Sequence, residues 1–225
     1  MRGAPLLLLL GVACAATPPL IGEPGAELPD PKAEASYQAA LDRATEHREI
    51  YAGLDTRYFI AATFQSPEFR EARVRRQARF QSWTQERLDE QLARERADAA
   101  QVHEVVFGLS VVDRKLDDLD SKNSIWRLSL SSDQGEVPPL TLRRVGRSTQ
   151  DTRAYYPYMG DFWTVYTARV PVAVDGRPLI APGTRTVVFR ISSTQGQAEM
   201  QFPVGGTFPP PNRTPPPPPA GSPSG

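Results

Sequence analysis

Reactive side chains are scarce in this chain of 225 residues, which has one cysteine, Cys14, and two histidines, His47 and His103. A lone cysteine has no partner for an internal disulfide bond. The sequence has no Cys-x-x-Cys, His-Glu-x-x-His or Gly-x-Ser-x-Gly motif, so it gives no sign of a zinc site or a Ser-His-Asp hydrolase. We therefore expect a protein that is not an enzyme and that binds no cofactor or metal.

Net charge and long apolar segments are missing as well. The 26 basic and 26 acidic residues balance to a formal net charge of zero, so electrostatics gives no reason to expect a nucleic-acid partner. The longest apolar stretch, at the N-terminus, is about a dozen residues long, whereas a helix that spans a bilayer needs about 20. The sequence therefore predicts a protein that is soluble or held at a membrane by an anchor.

The N-terminus has the three-part layout of a secretory signal peptide. Arg2 supplies a positive charge, the run Leu6 to Leu10 forms an apolar centre, and small residues such as Ala13 and Ala15 follow. We therefore interpret residues 1–13 as a signal peptide and expect the protein to be exported.

The segment Gly11-Val12-Ala13-Cys14 resembles the lipobox of bacterial lipoproteins, although Gly11 stands where that family usually has leucine. The resemblance implies that the thiol of Cys14 carries lipid, that cleavage leaves Cys14 as the first residue, and that membrane lipid is a partner. Because alanine and not aspartate follows the cysteine, the resemblance also implies the outer membrane. The alternative is ordinary cleavage after Ala15 or Ala16, which would give a soluble periplasmic or secreted protein.

Composition divides the rest of the chain into three parts. Residues 14–32 are rich in proline, glycine and glutamate and are predicted to be a flexible linker next to the lipid. Residues 33–205 are long enough for one globular domain with a core of its own. Residues 206–225 contain the uninterrupted run Pro215 to Pro219 and are predicted to be a disordered proline-rich tail.

The helical part of the domain, residues 33–100, contains two predicted helices. The first covers residues 33–54, where apolar side chains recur at helical spacing and Gly53 is a plausible stop. Ser66 as N-cap and Pro67 at the first helical position begin the second helix. Dense mixed charge and the absence of internal glycine or proline predict that this long helix continues to the end of the helical part.

The remainder, about residues 101–205, is predicted to be β-structure. Turn signals such as Asp133-Gln134-Gly135 and Asp175-Gly176 separate short apolar or alternating segments. Such spacing favours an antiparallel immunoglobulin-like β-sandwich of about seven strands preceded by two helices, a mainly β fold of the α+β kind. The predicted strands are 57–64, from within the helical part, and 102–112, 125–130, 140–145, 162–172, 186–191 and 198–204.

Arginines crowd the first half of the long predicted helix. Arg70, Arg73 and Arg76 are candidate contacts for an anion such as a phosphate or a lipid headgroup, because guanidinium groups match phosphate oxygens. Glutamates beside them partly offset the charge, so the alternative is an ordinary solvated helix face.

Aromatic residues are densest shortly before and within the predicted strand 162–172. Tyr155, Tyr156, Tyr158 and Trp163 are candidate contacts for a protein or a glycan, since aromatic side chains dominate interface energetics. The alternative is core packing. Alternation in the strand would then bury either Phe162, Thr164 and Tyr166 or Trp163 and Val165, but not both sets.

Acidic residues cluster at Asp113, Asp117, Asp118 and Asp120. Oxygen ligands on a loop could hold calcium. However, lysines interrupt the cluster and the regular Asp-x-Asp-x-Asp-Gly spacing is missing, which favours a solvated connection between strands.

Taken together, the layout resembles uncharacterised bacterial lipoproteins. The sequence predicts an exported, lipid-anchored, non-enzymatic envelope protein that acts as a binding or assembly module, with another envelope protein as its partner and no nucleic acid. One alternative is a periplasmic solute-binding protein or envelope enzyme whose site is not visible in sequence. A second alternative is a structural protein that contacts the cell wall.

Overall fold

The computed structural model describes residues 30–205 of the chain. The predicted signal peptide, Cys14 and the proline-rich tail 206–225 lie outside the described residues, as does the predicted linker up to residue 29, and these assignments stay predictions. The described part has four α-helices, one short 3₁₀ helix and eleven strands. The helices are α1 (Pro31–Ala44), α2 (Pro67–Phe80), α3 (Gln85–Ala99) and α4 (Gln150–Tyr155).

The strands form three antiparallel sheets. Eight strands have six residues or more, close to the predicted seven. The strands are β1 (Thr45–Ala52), β2 (Asp55–Phe64), β3 (Val102–Val111), β4 (Arg127–Ser132), β5 (Gly135–Val137), β6 (Thr141–Arg147), β7 (Thr164–Pro171), β8 (Ala173–Val174), β9 (Arg177–Pro178), β10 (Thr186–Ser193) and β11 (Gly196–Pro203).

A five-stranded sheet in the order β1-β2-β3-β7-β6 faces a four-stranded sheet in the order β11-β10-β4-β5, and β8 and β9 form a small separate hairpin. The two larger sheets meet where β1 approaches β11. At that point a Cβ atom on Gly196 would lie only 2.8 Å from Cγ2 of Ile50. The close approach explains why a glycine suits this position.

One core lies between the two larger sheets. Phe107 on β3 stacks on Tyr166 of β7 at 5.4 Å between ring centroids and packs against Phe189 of the opposite sheet at 5.3 Å. Alternate residues of the central strands point into this core, as expected for a sheet with one face on a partner sheet. The fully buried members include Tyr58, Ile60, Leu130, Val187, Met200 and Phe202.

The helices cover the other face of the five-stranded sheet. Tyr37 and Leu41 of α1 and Phe69 of α2 pack with Val106 and Val165, which point away from the first core. The central strands β2, β3 and β7 are therefore buried on both faces, whereas the edge strand β6 has no buried residue. For this reason Thr164, Val165 and Tyr166 are all buried, and the expected choice between two alternating sets in this strand was wrong; Phe162, just before the strand, is exposed.

The first predicted helix is too long. Residues 33–44 are helical, but the second half of the predicted helix, 45–54, forms β1 and the turn into β2. Thr45 has extended backbone angles, its Oγ1 lies 2.8 Å from Oγ1 of Thr63, and every residue of β1 pairs with β2. Cross-strand pairing therefore overrides the helix-favouring composition, and Gly53 at φ +64° forms a hairpin turn.

The second predicted helix is two helices. Ser66 is confirmed as N-cap of α2, accepting a hydrogen bond from the Phe69 amide at 3.2 Å. The helix ends at Phe80, because Ser82 turns the backbone to φ +49° and the Trp83 amide donates to the Ala78 carbonyl at 2.9 Å. This is the closing pattern in which glycine usually takes the left-handed position. Thr84 then caps α3.

Arg70 connects α2 and α3 to the end of β2 through hydrogen bonds. Only 3% of its surface is exposed. Its Nε donates to the carbonyl of Gln65 at 3.0 Å, and its Nη1 donates to Glu95 at 3.1 Å and to Asp98 at 2.8 Å on α3. Asp98 also accepts a hydrogen bond from Arg169 on β7. Removing one member of a buried ion-pair network lowers the free energy of unfolding, because the remaining charges lose a partner.

Arg70→Ala is expected to lower the free energy of unfolding by about 2–3 kcal/mol, because its charge-assisted hydrogen bonds are lost while Arg73 and Arg169 still pair with Glu95 and Asp98. Arg75 is the matched control on the same helix: its ion pair with Glu71 is exposed, so Arg75→Ala should cost about 0.5 kcal/mol or less. Urea titrations of both variants measure the difference. An equal loss of unfolding free energy in the two variants would mean that the buried network does not stabilise the packing of the helices.

Candidate functional site

An open groove of about 480 Å³ lies where the helical layer meets the ends of β2 and β11. Three buried phenyl rings, Phe64, Phe69 and Phe202, line it, and Phe64 and Phe202 stack on each other at 5.9 Å between centroids. Two exposed side chains of opposite charge, Arg43 and Glu68, are also part of its lining. The groove thus combines an apolar floor with a polar rim, as ligand sites commonly do.

Local sequence positions each wall of the groove. Ala40 and Ala44, on the last two turns of α1, line it with small side chains that leave space between α1 and α2. The Ser66 cap fixes the start of α2, so that Glu68 and Phe69 in its first turn lie beside the end of β2. The wall opposite is the end of β11 at Phe202 and Pro203 together with Gly205, which follows the strand.

A second cavity of about 290 Å³ adjoins the groove. It shares Phe64, Ser66, Glu68 and Gly205 with the groove and extends to His103 at the start of β3. The adjoining cavities make a continuous recessed surface across the end of both large sheets.

His103 is the one titratable ring of this second cavity. Burial, followed by the nearby guanidinium of Arg70, lowers the pKa of His103 from 6.5 to about 4, so the ring is neutral at pH 7. Its Nε2 atom is buried and has no hydrogen-bond partner among residues 30–205. The predicted placement at the start of a strand is confirmed, whereas His47, predicted on a helix, lies on β1.

The three arginines predicted to contact an anion all face carboxylates of the chain itself. Arg70 binds Glu95 and Asp98, as described above, and Arg73 Nη2 donates to Glu95 at 3.0 Å. Arg76 pairs with Glu34 at 3.0 Å and lies 4.6 Å from the ring centroid of Tyr37. Their role in binding an external anion stays a prediction.

The predicted aromatic contacts lie mostly within the helical layer. Tyr156 is buried and its hydroxyl donates a hydrogen bond to Gln65 at 3.3 Å. The Tyr158 hydroxyl shares a hydrogen bond with the hydroxyl of Thr63. Burial raises the pKa of both tyrosines. Tyr155, half-buried, accepts a hydrogen bond at its carbonyl from the Tyr37 hydroxyl at 2.6 Å.

Trp163, the fourth of these aromatics, covers Gly108 so closely that a Cβ atom there would lie 2.7 Å from its ring. A contact role for the four residues stays a prediction.

The acidic segment 113–120 is hydrogen-bonded to the five-stranded sheet. Asp117 accepts hydrogen bonds from the hydroxyls of Thr164 and Tyr166, each at 2.6 Å, and from Arg144 at 2.9 Å. Within residues 30–205, no group of three or more histidine, cysteine, aspartate or glutamate side chains is placed to hold a metal ion. Asp117 therefore anchors the loop that follows β3.

Sequence reasoning missed the groove. Its three rings come from positions 64, 69 and 202, and only the fold brings the last beside the first two. The one local signal was the helix start at Ser66-Pro67, which places Phe69 one turn into α2 but does not reveal what lies opposite.

No protein-family model matches the chain, and no curated protein or solved structure is significantly similar to it. None of the helices in the described part of the chain is both long and apolar enough to cross a membrane.

The low pKa of His103 makes stability depend on pH. The unfolded chain takes up a proton near pH 6.5 and the folded chain only near pH 4, so the contribution of neutral His103 is complete above about pH 6.5 and is lost as the pH falls towards 4. Denaturant titrations across this range should show a shallower fall for His103→Gln, by less than about 1.4 kcal/mol per pH unit because the ring is partly open to solvent. A His103→Gln variant that loses stability as steeply as the unaltered chain would contradict the assignment.

Proposed function

We propose that this protein is an exported, lipid-anchored, non-enzymatic envelope protein that binds an extended segment of another envelope protein in the groove between α1, α2 and β11. The observation that carries the proposal is the groove itself, with its floor of Phe64, Phe69 and Phe202 and its oppositely charged rim. The proposed scaffold is an immunoglobulin-like sandwich, a fold class in which binding sites sit on a rigid framework.

The lining favours a polypeptide segment as the ligand. The three rings are themselves 3% exposed or less, so the gain comes from the apolar surface of the segment that leaves water in the groove, at roughly 25 cal/mol per Å² buried. Arg43 can pair with a carboxylate and Glu68 with a cation or a backbone amide of the same segment. Opposite charges on the rim would fix the direction in which the segment lies.

The position of the groove fits an anchor on Cys14. The start of α1 lies beside the end of α2, because Glu34 pairs with Arg76, whereas the end of α1 and the start of α2 line the groove. Arg76 follows Glu68 by eight residues of α2, so the two sites are about 12 Å apart along the helix. The chain therefore enters the domain away from the groove, which would stay accessible when the chain is anchored.

A random peptide library displayed on phage and selected on the immobilised chain tests the groove. We expect selected peptides with apolar residues to bind with one-to-one stoichiometry. The double reversal Arg43→Glu with Glu68→Arg should weaken them by about tenfold, or about 1.4 kcal/mol. The control Glu86→Arg with Lys122→Glu also reverses two exposed charges of opposite sign and should bind as the unaltered chain does.

Failure to select any peptide, or equal binding by the two double variants, would contradict a groove site. A gain in peptide affinity when residues 206–225 are removed would show that the chain's own tail fills the groove instead of a partner.

A further inference from the structure

Exposed apolar side chains collect at the end of the five-stranded sheet opposite the groove. Leu54, at the tip of the β1–β2 hairpin, is fully exposed. Tyr51 beside it, Val112 after β3 and Phe162 before β7 are each more than half exposed. Large exposed apolar groups gathered at one place mark an interaction site more often than scattered ones do.

The strand register shows that these residues share one end of the sheet. Tyr58 near the start of β2 pairs with Val111 at the end of β3, and Leu109 of β3 pairs with Thr164 at the start of β7. Arg147, the last residue of β6, also pairs with Thr164. The hairpin tip therefore extends beyond the neighbouring strands at the end where Val112 and Phe162 leave the sheet.

The chain that leads to Cys14 joins the domain on the same side. The first turn of α1 contacts the last turns of α2 through Glu34 and Arg76, and the Arg76 guanidinium lies 4.8 Å from the ring centroid of Phe80, which is half-exposed. Phe80 lines an open cavity with Thr152 in the first turn of α4, the helix that follows β6 at this end. An aromatic side chain thus adds to the apolar surface beside the start of α1.

The segment between the anchor and the domain is short. Residues 14–29 number 16, and the flexible linker that composition predicts for them would span roughly 22 Å. A bilayer that holds Cys14 therefore lies within reach of this end of the domain.

We propose that the exposed apolar end, formed by Tyr51, Leu54, Phe80, Val112 and Phe162, rests on the surface of the phospholipid bilayer that holds Cys14. The inference rests on the proposed lipid anchor. It assigns a second interaction surface, opposite the groove, whose partner is lipid and not protein.

The chemistry of the surface fits the boundary between headgroups and acyl chains. Leucine, valine and phenylalanine gain free energy by leaving water, and tyrosine favours the headgroup level. Asp55 and Asp113 lie among the apolar residues, and so do the exposed cations Arg57, Arg114 and Lys115. The charges at this end are therefore mixed, and apolar burial is the expected attraction. A weak contact suffices, because the tether gives a high effective concentration of the surface at the bilayer.

The lone cysteine allows a direct test. The chain from Cys14 to Gly225 is coupled through its thiol to a maleimide lipid in phosphatidylcholine vesicles, with or without bromine on the acyl chains. A reporter tryptophan is introduced by Leu54→Trp or, as a control at the opposite end, by Leu140→Trp; both leucines are exposed. We expect brominated lipid to quench the added emission of Leu54→Trp and to leave that of Leu140→Trp unchanged.

Adding Val112→Asp and Phe162→Asp to the Leu54→Trp chain should abolish the quenching. Absence of quenching in Leu54→Trp, or equal quenching of the two reporters, would overturn the proposal. Because coupling imposes the attachment, the result does not depend on whether cells acylate Cys14 or on what the groove binds, so failure here is distinct from failure of the proposed function.

Discussion

Burial of the central strands β2, β3 and β7 on both faces is the constraint on which the rest of the structure depends. One face packs against the second sheet around Phe107 and Tyr166, and the other packs under α1, α2 and the segment that carries Trp163. Polar groups on the covered faces must be paired, and Thr63 meets this need through Thr45 and Tyr158. Close packing on the covered face also requires a glycine at position 108, since Trp163 leaves no space for a Cβ atom there.

Central strands that are covered on both faces are accessible to ligands only at their ends. At one end the helices stop short and leave the groove over Phe64, Phe69 and Phe202. At the other end the β1–β2 hairpin carries Leu54 beyond the neighbouring strands. The proposed protein site and the proposed lipid surface therefore occupy opposite ends of the same strands, and β2, with 10 residues, separates them by about 33 Å.

The predictions from sequence were most accurate where adjacent residues determine the local structure. The turns at Asp133-Gln134-Gly135 and Asp175-Gly176 and the Ser66 cap are confirmed, because turn and cap chemistry depends on adjacent residues. Thr45–Ala52 was assigned to a helix because residues 33–54 have helix-favouring composition and apolar side chains at helical spacing, and only pairing with β2 makes it a strand. The break after Phe80 was missed because serine, not glycine, takes the left-handed position. Arg70 was predicted to contact an external anion or to lie on a solvated helix face, because the sequence does not show that Glu95 and Asp98 of α3 pair with it.

The orientation of both surfaces depends on the proposed attachment at Cys14, and the intact mass of the mature protein from fractionated cells tests it most directly. We expect the membrane fraction to contain a chain that begins at Cys14 and carries the added mass of acyl chains. Cys14→Ser should remove both the acyl mass and the membrane association. A mature chain that begins at Ala16 or Thr17 without lipid, recovered in the soluble fraction, would contradict the anchored arrangement.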